Sequence, residues 1–329
     1  MPGTPELLQI RDLDVSCRTP SRTTHALRGV DLALSEGQVH ALVGESGSGK
    51  TVTALSVMGL VPMPPWHINR GQILLRDSDL LETPEPDLRR LRGRQMAMIF
   101  QEPAKYLNPS LKVGGQIAEM LRQHLAMQKN EAEARVLELF DLVGLRRGRR
   151  IASSYPHELS GGMKQRAMIA MAISCGPSLL IADEPTTALD VTLQVQILGL
   201  ILELKARLGM AVLFISHDLG VVRDIAKQVS VIYAGRIVET APKERLFAEP
   251  QHPYTQLLLQ SQPNRDNRGK RLAAIRGTAP TGANFPPGCA FHPRCPIAER
   301  VCGRELPAMI DYEGGLAAAC HMIGQKQLN

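Results

Sequence analysis

The stretch Gly44-Glu-Ser-Gly-Ser-Gly49-Lys50-Thr51 decides the fold of this chain. It follows the apolar run Val39–Val43, which predicts a buried strand, and it leads into residues 51–60, which predict a helix. The stretch fits the pattern G-x-x-x-x-G-K-[ST], in which glycines let backbone N–H groups turn towards phosphate oxygens at a helix N-terminus. Lys50 can reach β- and γ-phosphates, and the Thr51 hydroxyl can bind Mg²⁺. The context of strand, loop and helix favours a phosphate-binding loop over a glycine-rich turn with a chance lysine.

A pair of acidic residues provides the second half of a nucleotide site. The apolar run Leu179-Leu-Ile-Ala182 predicts a buried strand that ends in Asp183 and Glu184. Open α/β sheets bind their ligands at the carboxyl ends of strands. Asp183 can hold Mg²⁺ through water, and Glu184 can orient and polarise an attacking water. Alone, the pair is equally compatible with an acidic cap before Pro185, but together with the phosphate loop it predicts a nucleoside triphosphatase.

Four further features narrow the class of nucleotide hydrolase. Leu159-Ser160-Gly161-Gly162-Met163-Lys164-Gln165 opens a predicted helix and offers a second N-terminus to an anion. The other three are polar residues after predicted strands or just beyond the acidic pair, namely Gln101, Asp190 and His217. Each of these residues could be a plain strand end, turn or helix cap. Their order and spacing together, however, are specific to one class of nucleotide hydrolase.

Strands and helices alternate along the chain to about residue 240. Apolar β-rich runs at residues 211–215 and 229–233 predict further buried strands, separated by predicted helices over 191–208 and 218–226. This order predicts an α/β fold with a largely parallel sheet. Residues 262–288 are rich in proline and glycine and predict a linker or an extended arm.

Composition excludes several classes of protein. Hydrophobic residues make up 44% and charged residues 21%, which excludes a disordered chain or a fibre. The longest apolar stretch, residues 167–175, is too short to span a membrane, and residues 1–6 lack the features of a signal peptide, so we expect a cytoplasmic protein. The net charge of +6 permits nucleic acid or anionic lipid as a partner but fits a soluble basic surface better. Aromatic residues, at 4%, are too few for a single-strand stacking platform.

Four of the six cysteines lie near the C-terminus, at Cys289, Cys295, Cys302 and Cys320. In a cytosolic protein such a group indicates a metal before a disulfide. Structural zinc sites usually contain C-x₂₋₄-C pairs, which are absent here, and the wider gaps suit an iron–sulfur cluster. Zinc, with His292 or His321 as a possible further ligand, and four packed thiols without any metal remain the alternatives.

Taken together, these motifs resemble the ATP-binding cassette family over residues 6–260. The resemblance implies a cassette with a parallel-sheet core, an antiparallel β subdomain and a helical subdomain at about residues 102–175. We therefore expect a cassette over 1–260, followed by a linker and a small irregular Cys-rich extension over 261–329.

The resemblance also implies a role for each matching residue. The Walker A loop comprises Gly44, Glu45, Ser46, Gly47, Ser48, Gly49, Lys50 and Thr51. Thr51, the Q-loop residue Gln101 and the Walker B residue Asp183 correspond to the family's Mg²⁺ ligands. Glu184 resembles the catalytic glutamate, His217 the switch histidine and Asp190 the D-loop aspartate. Ser160, Gly161, Gly162 and Gln165 resemble the signature sequence, which in the family contacts the ATP of the opposite subunit.

Further stretches resemble the ATPases of dipeptide and oligopeptide importers and their relatives for opines, nickel chelates and D,D-dipeptides. They are Phe100-Gln101-Glu102-Pro103, Leu107-Asn108-Pro109 and His252-Pro253-Tyr254-Thr255, followed by the C-terminal cysteines. The resemblance implies ATP hydrolysis at the cytoplasmic face of the inner membrane, coupled to solute uptake, with Mg²⁺ as cofactor. It implies a second ATPase subunit, often a different chain, two membrane permeases and an external solute-binding protein, with no nucleic acid. Members of this group carry a [4Fe-4S] cluster in the C-terminal segment.

The alternative is a soluble cassette ATPase that acts on the ribosome or on DNA. Such proteins usually carry two cassettes in one chain or long insertions, whereas this sequence has one cassette and a helical insert of ordinary size. Transport is therefore the favoured interpretation.

One position departs from the family pattern. The family usually has an aromatic residue after the first strand that stacks on adenine, but Leu13-Asp-Val15 is followed by Ser16-Cys17-Arg18. The first aromatic residue of the chain is Trp66, so Arg18 or His25 would have to contact the base. We therefore expect modest base selectivity and unaffected phosphate binding.

Overall fold

A computed structural model of the protein describes residues 5–187, 189–262, 275–282 and 284–323. Residues 263–274 of the predicted linker, together with residues 1–4, Ala188, Ala283 and residues 324–329, lie outside the described residues. Within the described ranges, none of the helices combines the length and the apolar character that crossing a membrane requires.

The strands and helices follow the predicted alternation. The strands are β1 (Glu6–Thr19), β2 (Arg22–Ser35), β3 (Val39–Val43), β4 (Trp66–Leu75), β5 (Ser78–Asp79), β6 (Met96–Ile99), β7 (Leu179–Asp183), β8 (Ala211–Ser216), β9 (Gln228–Tyr233), β10 (Arg236–Pro242), β11 (Ile310–Tyr312) and β12 (Leu316–Ala318). The helices are α1 (Lys50–Val57), α2 (Glu85–Leu91), α3 (Pro103–Tyr106), α4 (Val113–Leu125), α5 (Lys129–Leu142), α6 (Gly148–Ser153), α7 (Gly161–Ile173), α8 (Val191–Leu208), α9 (Leu219–Ile225), α10 (Lys243–Ala248) and α11 (Pro253–Gln260).

The chain forms two compact units. Among the described residues, those of the first unit fall within residues 1–7, 35–38 and 82–214, and those of the second fall within residues 8–34, 39–81 and 215–329. Strand β8 contains the boundary between residues 214 and 215.

The first unit combines a parallel strand pair with a helical region. Strand β6 pairs with β7 in parallel, with Met96 opposite Leu179 and Ile99 opposite Ala182, and all of these residues are buried. Burial on both faces explains why both strands are continuous apolar runs. Helices α4, α5, α6 and α7 pack against one another. The parallel register brings the carboxyl ends of β6 and β7, and hence Gln101 and Asp183, to the same edge.

The second unit contains an antiparallel sheet and a mixed sheet. The antiparallel sheet has the order β2-β1-β4-β5, with Leu8 opposite Leu75 and Cys17 opposite Trp66. The mixed sheet runs β11-β12-β10-β9-β3, with β3 and β9 parallel and Ala41 opposite Val229. All five residues of β3 are buried, and the phosphate-binding stretch follows directly.

The C-terminal extension is less irregular than expected. Strands β11 and β12 form a hairpin, and β12 pairs with β10 through Glu239 opposite Ala318. Leu316 and Ala318 are buried there, so the extension covers an edge strand of the mixed sheet. Strands of three residues are too short to give an alternating pattern, which explains why the sequence did not predict them. The segment with Cys289, Cys295 and Cys302 contains only short 3₁₀ turns, His292–Arg294 and Arg300–Gly303.

Candidate functional site

The phosphate-binding stretch has the backbone that its glycines permit. Gly47 and Gly49 have φ angles of +77° and +113°, in the region that side chains with a Cβ rarely adopt. A Cβ on Gly44 would lie 2.2 Å from the carbonyl oxygen of Ile232, so the loop passes too close to β9 for any larger residue. The loop therefore depends on glycine for its shape at both ends.

Lys50 lies at the start of α1 with its side chain turned back over the loop. The residue is buried, and its Nζ donates hydrogen bonds to the carbonyl oxygens of Gly44 at 2.8 Å and Glu45 at 3.0 Å. Thr51 is exposed, whereas the buried Ser48 Oγ has no hydrogen-bond partner among the described residues. A positive charge, an accessible hydroxyl and an unsatisfied buried hydroxyl in one loop suit a polyphosphate with its Mg²⁺.

The acidic pair in the first unit is joined to the predicted glutamine. Asp183 ends β7 and is 2% exposed. The carboxylate of Glu184 accepts hydrogen bonds from Gln101 Nε2 at 3.0 Å and Thr187 Oγ1 at 2.9 Å. Glu184 has a φ of +46°, a conformation that costs a non-glycine residue about 1–3 kcal/mol and is found at functional sites. Backbone strain and two donors thus fix the direction of this carboxylate.

Thr187 is a residue whose role sequence reasoning missed. No motif in the sequence singles it out, yet its hydroxyl donates a hydrogen bond to the predicted catalytic carboxylate. Its separation of three residues from Glu184 was the available signal, because a turn brings such residues together.

The signature stretch and Asp190 both lie at helix starts. Ser160 is the N-cap of α7, and its Oγ accepts the Met163 N–H at 3.3 Å. Gly161 is exposed, and a Cβ on Gly162 would lie 3.3 Å from the Leu193 side chain of α8. Gln165 is buried, and its Nε2 has no hydrogen-bond partner among the described residues. The exposed N-terminus of α7 is thus available to an anion.

Asp190 is the exposed N-cap of α8. Its carboxylate accepts a hydrogen bond from the Leu193 N–H at 2.9 Å. Asp190 is therefore a helix cap, as one interpretation of the sequence expected, and this does not exclude a further role.

The predicted switch histidine belongs to the second unit. His217 follows β8 and is exposed, between Ser216 and Asp218. Ser216 Oγ accepts the Asp218 N–H at 2.9 Å, and the Asp218 carboxylate caps α9 by accepting the Gly220 N–H at 2.8 Å. These two bonds fix the backbone on the C-terminal side of His217, so the imidazole projects from a defined turn.

Two residues from the C-terminal part of the chain hold Glu45 of the phosphate loop. The Tyr254 hydroxyl accepts the backbone N–H of Glu45 at 2.9 Å. Arg294 donates to both carboxylate oxygens of Glu45, at 3.0 and 3.2 Å, and to the Tyr233 hydroxyl at 3.1 Å. Burial raises the pKa of both tyrosines. In the sequence, Tyr254 is recognisable only as part of a family motif and no pattern singles out Arg294, because more than 200 residues separate each from the loop.

The four C-terminal cysteines line one small cavity, together with His292 and His321. Burial raises the pKa of the Cys289 and Cys320 thiols, and it raises the pKa of the Cys295 thiol to about 11. Within the described ranges, no three Cys, His, Asp or Glu side chains are placed to hold a metal ion. The structure therefore brings the predicted ligands around one space, but not at the spacing of a single ion.

The position near Cys17 where the family usually has an aromatic residue lies within β1, not after the first strand as expected, and it faces an aromatic residue that is distant in the sequence. Antiparallel pairing of β1 and β4 places Trp66 directly opposite Cys17, so the two side chains share a face. Arg18 instead donates to Asn69 at 2.9 Å, and His25 lies 3.6 Å from the Asp14 carboxylate.

Models of two protein families match the chain. Residues 27–187 match "ABC transporter", and residues 238–302 match "Oligopeptide/dipeptide transporter, C-terminal region".

Curated relatives are similar over nearly the whole chain. The oligopeptide transport ATP-binding protein AppD of Bacillus subtilis is 48% identical, over 97% of this chain and 98% of its own. A putative peptide import ATP-binding protein of Brucella ovis is also 48% identical, over 95% and 96%. The dipeptide transport ATP-binding protein DppD of B. subtilis is 45% identical, over 98% and 96%.

Solved structures share the fold over about three quarters of the chain. The dimeric post-hydrolysis structure of the ATP-binding cassette MJ0796 with ADP and Pi has a TM-score of 0.65 at 25% identity, covering 72% of this chain and 98% of its own. The cbiO1 structure from Clostridium perfringens, part of the transporter complex cbiONQ, has a TM-score of 0.63 at 26% identity, covering 74% and 92%.

Proposed function

The chain belongs to the ATP-binding cassette (ABC) transporter family, and we propose that it is the ATP-hydrolysing subunit of an importer for dipeptides, oligopeptides or related solutes. The observation that carries the proposal is the match of residues 238–302 to the C-terminal region of oligopeptide and dipeptide transporters. This region follows the phosphate-site motifs, the last of which is at His217. Because those motifs are common to cassette proteins in general, the match in this region is what favours a peptide importer. It favours transport over a soluble ATPase acting on the ribosome or on DNA.

The proposed reaction is an in-line attack of water on the γ-phosphate of ATP. Lys50 and the backbone N–H groups of residues 44–49 neutralise the transferred group, Glu184 aligns and polarises the water, and His217 steadies the γ-phosphate. Thr51, Gln101 and Asp183 are the residues that would hold Mg²⁺, which adds charge neutralisation. The two hydrogen bonds to Glu184 support its role, because a base must be oriented before it can act.

The proposed assembly contains a second ATPase subunit, which we expect to be a different chain. Ser160, Gly161, Gly162 and Gln165 would contact the ATP of that facing subunit, and Asp190 would lie beside it. The exposed start of α7 supports this, since a helix N-terminus can receive phosphate. Two membrane permeases, served by an external solute-binding protein, complete the importer. The chain then acts as a peripheral protein at the cytoplasmic face of the inner membrane and binds no nucleic acid.

We place the functional division of the chain at residue 260. The phosphate-site motifs lie in the cassette over 1–260, with its helical subdomain at about 102–175, and the four cysteines lie in the extension over 261–329.

The test of function is purification of the tagged chain from its native membrane, followed by reconstitution. Co-purification with two permeases, and ATPase activity stimulated by a peptide-loaded binding protein, would support the proposal. Co-sedimentation with ribosomes or DNA, with no permease recovered, would overturn it. Stimulation by a nickel chelate or an opine but not by peptides would change the solute class.

We also propose that Cys289, Cys295, Cys302 and Cys320 hold a [4Fe-4S] cluster with a structural or redox role. Two observations support it: all four thiols line one cavity, and none forms a disulfide. A single zinc ion needs thiolates at about 2.3 Å, whereas a four-iron cluster bridges cysteines that lie further apart. Zinc is the alternative occupant.

Anaerobic purification tests the cluster. The protein should be brown, with iron and acid-labile sulfide near four per chain, about the content of one [4Fe-4S] cluster. A colourless preparation with stoichiometric zinc and no iron would overturn the cluster in favour of zinc.

A further inference from the structure

The phosphate loop contains a negative charge in its own sequence. Glu45 is the residue directly after Gly44, and its side chain is 25% exposed. Its carbonyl oxygen accepts a hydrogen bond from Lys50, so the residue lies within the loop. A carboxylate at this place repels a triphosphate unless a cation neutralises it.

Arg294 supplies that cation. Its side chain is 7% exposed, and both of its terminal nitrogens contact the two carboxylate oxygens of Glu45, which is the bidentate geometry of a strong ion pair. The remaining donors are also used, since Nε donates to the carbonyl of Arg276 at 2.9 Å and Nη1 to the Tyr233 hydroxyl at 3.1 Å. The guanidinium therefore has one orientation, which is set by groups outside the phosphate loop.

The pair is specific to the side chain of Glu45. The backbone of the same residue is held separately, because its N–H donates to the Tyr254 hydroxyl. Removal of Arg294 should therefore leave the loop tied through Tyr254 while it exposes an unpaired carboxylate. Charge compensation and loop position can thus be separated by substitution.

We propose that Arg294 is a positioning residue for ATP, which neutralises Glu45 so that the triphosphate can enter the loop. The Cys-rich segment is then a working part of the nucleotide site and not only an attachment behind it. The inference rests on the proposed function in one respect, namely that residues 44–51 hold the phosphates of ATP.

The experiment compares Arg294→Gln with the double variant Glu45→Gln/Arg294→Gln in the full-length chain. Equilibrium binding of Mg-ATP and of adenosine is measured by calorimetry, and folding is checked by thermal unfolding. Arg294→Gln should weaken ATP binding about tenfold, since an ion pair that is mostly buried loses one partner, and should change adenosine binding little. The double variant should recover ATP affinity to within about threefold of wild type, because the repelling charge has gone.

Two controls separate charge from structure. Arg300→Gln removes an exposed arginine of the same segment and should bind ATP as wild type does. Arg294→Lys keeps the charge without the bidentate geometry and should lose less affinity than Arg294→Gln.

The outcomes are decisive. Unchanged ATP affinity in Arg294→Gln, or a loss that the double variant does not recover, would overturn the role of Arg294. Failure of the wild-type chain itself to bind ATP would instead overturn the proposed function. In the reconstituted transporter, we expect Arg294→Gln to raise KM for ATP more than it lowers kcat.

Discussion

The phosphate loop and the cysteine cavity are both built for a charged ligand, but the chain assembles them differently. The loop comes from eight consecutive residues, and Lys50 already lies over the loop carbonyls. The cavity collects its thiols from four places between residues 289 and 320, and burial raises the pKa of Cys295 to about 11. The loop is therefore set by its own backbone, whereas the cavity needs deprotonation of its thiols before a metal can bind.

The two regions meet at Arg294. This residue precedes Cys295 in the chain and contacts Glu45 in the loop. A contiguous motif can therefore depend on a distant segment for its charge balance. Substitutions in either region can test whether the two regions function independently.

The largest effect is expected for Glu184→Gln, which tests the hydrolysis step and leaves both the phosphate loop and the cysteine cavity unchanged. The amide keeps the volume but loses the charge that polarises water, so steady-state ATPase of the reconstituted transporter should fall by about 10² to 10⁴. ATP affinity should stay close to wild type, as measured by calorimetry. Unchanged turnover would remove Glu184 from the catalytic role.

Cys295→Ser tests whether the cavity is independent of the loop. The variant should lose iron and colour, because one of four thiolate ligands is missing, while ATP affinity stays within about twofold since Arg294 is retained. Iron analysis and calorimetry on the same anaerobic preparation give both answers. Loss of ATP binding in step with loss of iron would show that the cavity and the loop form one cooperative site.

Acid should weaken the strand that carries the loop. His40 in β3 is 2% exposed, with Nδ1 hydrogen-bonded to the Ala33 carbonyl and Nε2 to Ser230 Oγ, and burial lowers its pKa to about 4. The unfolded chain, with a histidine pKa of about 6.5, binds this proton first, so stability is present above pH 6.5 and is lost as the pH falls towards 4. Between pH 7 and pH 5 the contribution of His40 should fall by about 2 kcal/mol.

The control for this effect is His40→Gln, followed by chemical unfolding at both pH values. The variant should lose less stability than wild type over this interval, whatever its stability at pH 7. Equal losses in the two proteins would exclude His40 as the source.

The smallest effect is expected at the base-binding end. Cys17→Tyr places an aromatic residue near the end of β1, and one aromatic–base stack is worth about 1–3 kcal/mol in nucleic-acid binders. The variant should bind ATP more tightly than wild type does, and the gain should be smaller for a bare triphosphate analogue. The ratio of the two affinities should change by about fivefold. An unchanged ratio would indicate that another side chain, with Trp66 opposite Cys17 as the first to test, already stacks on adenine.

Several sequence predictions are confirmed, and they share a physical basis. The ABC family, the cassette fold and the ATPase class follow from motifs whose residues are adjacent in sequence. Apolar runs buried on both faces predicted β3, β7 and β8 for the same reason, since their pattern is local. The roles of individual site residues and the cluster remain predictions.

The phosphate loop could be predicted from the sequence alone, because glycines at fixed spacing specify a backbone that few other residues can adopt. The sequence also predicted that Asp183 ends a buried strand, because the run of apolar residues stops directly before it and acidic residues follow. Both are consequences of chemistry within a few residues.

Which distant groups contact these motifs depends on tertiary packing. Parallel pairing of β6 and β7 brings Gln101 to Glu184, packing of the C-terminal segment brings Arg294 to Glu45, and folding of the extension gathers the cysteines. Local patterns carry no information about such contacts, because their partners are separated by tens to hundreds of residues and depend on how the intervening elements pack. The charge of Glu45 is visible in the sequence, and its neutralisation becomes visible only in the fold.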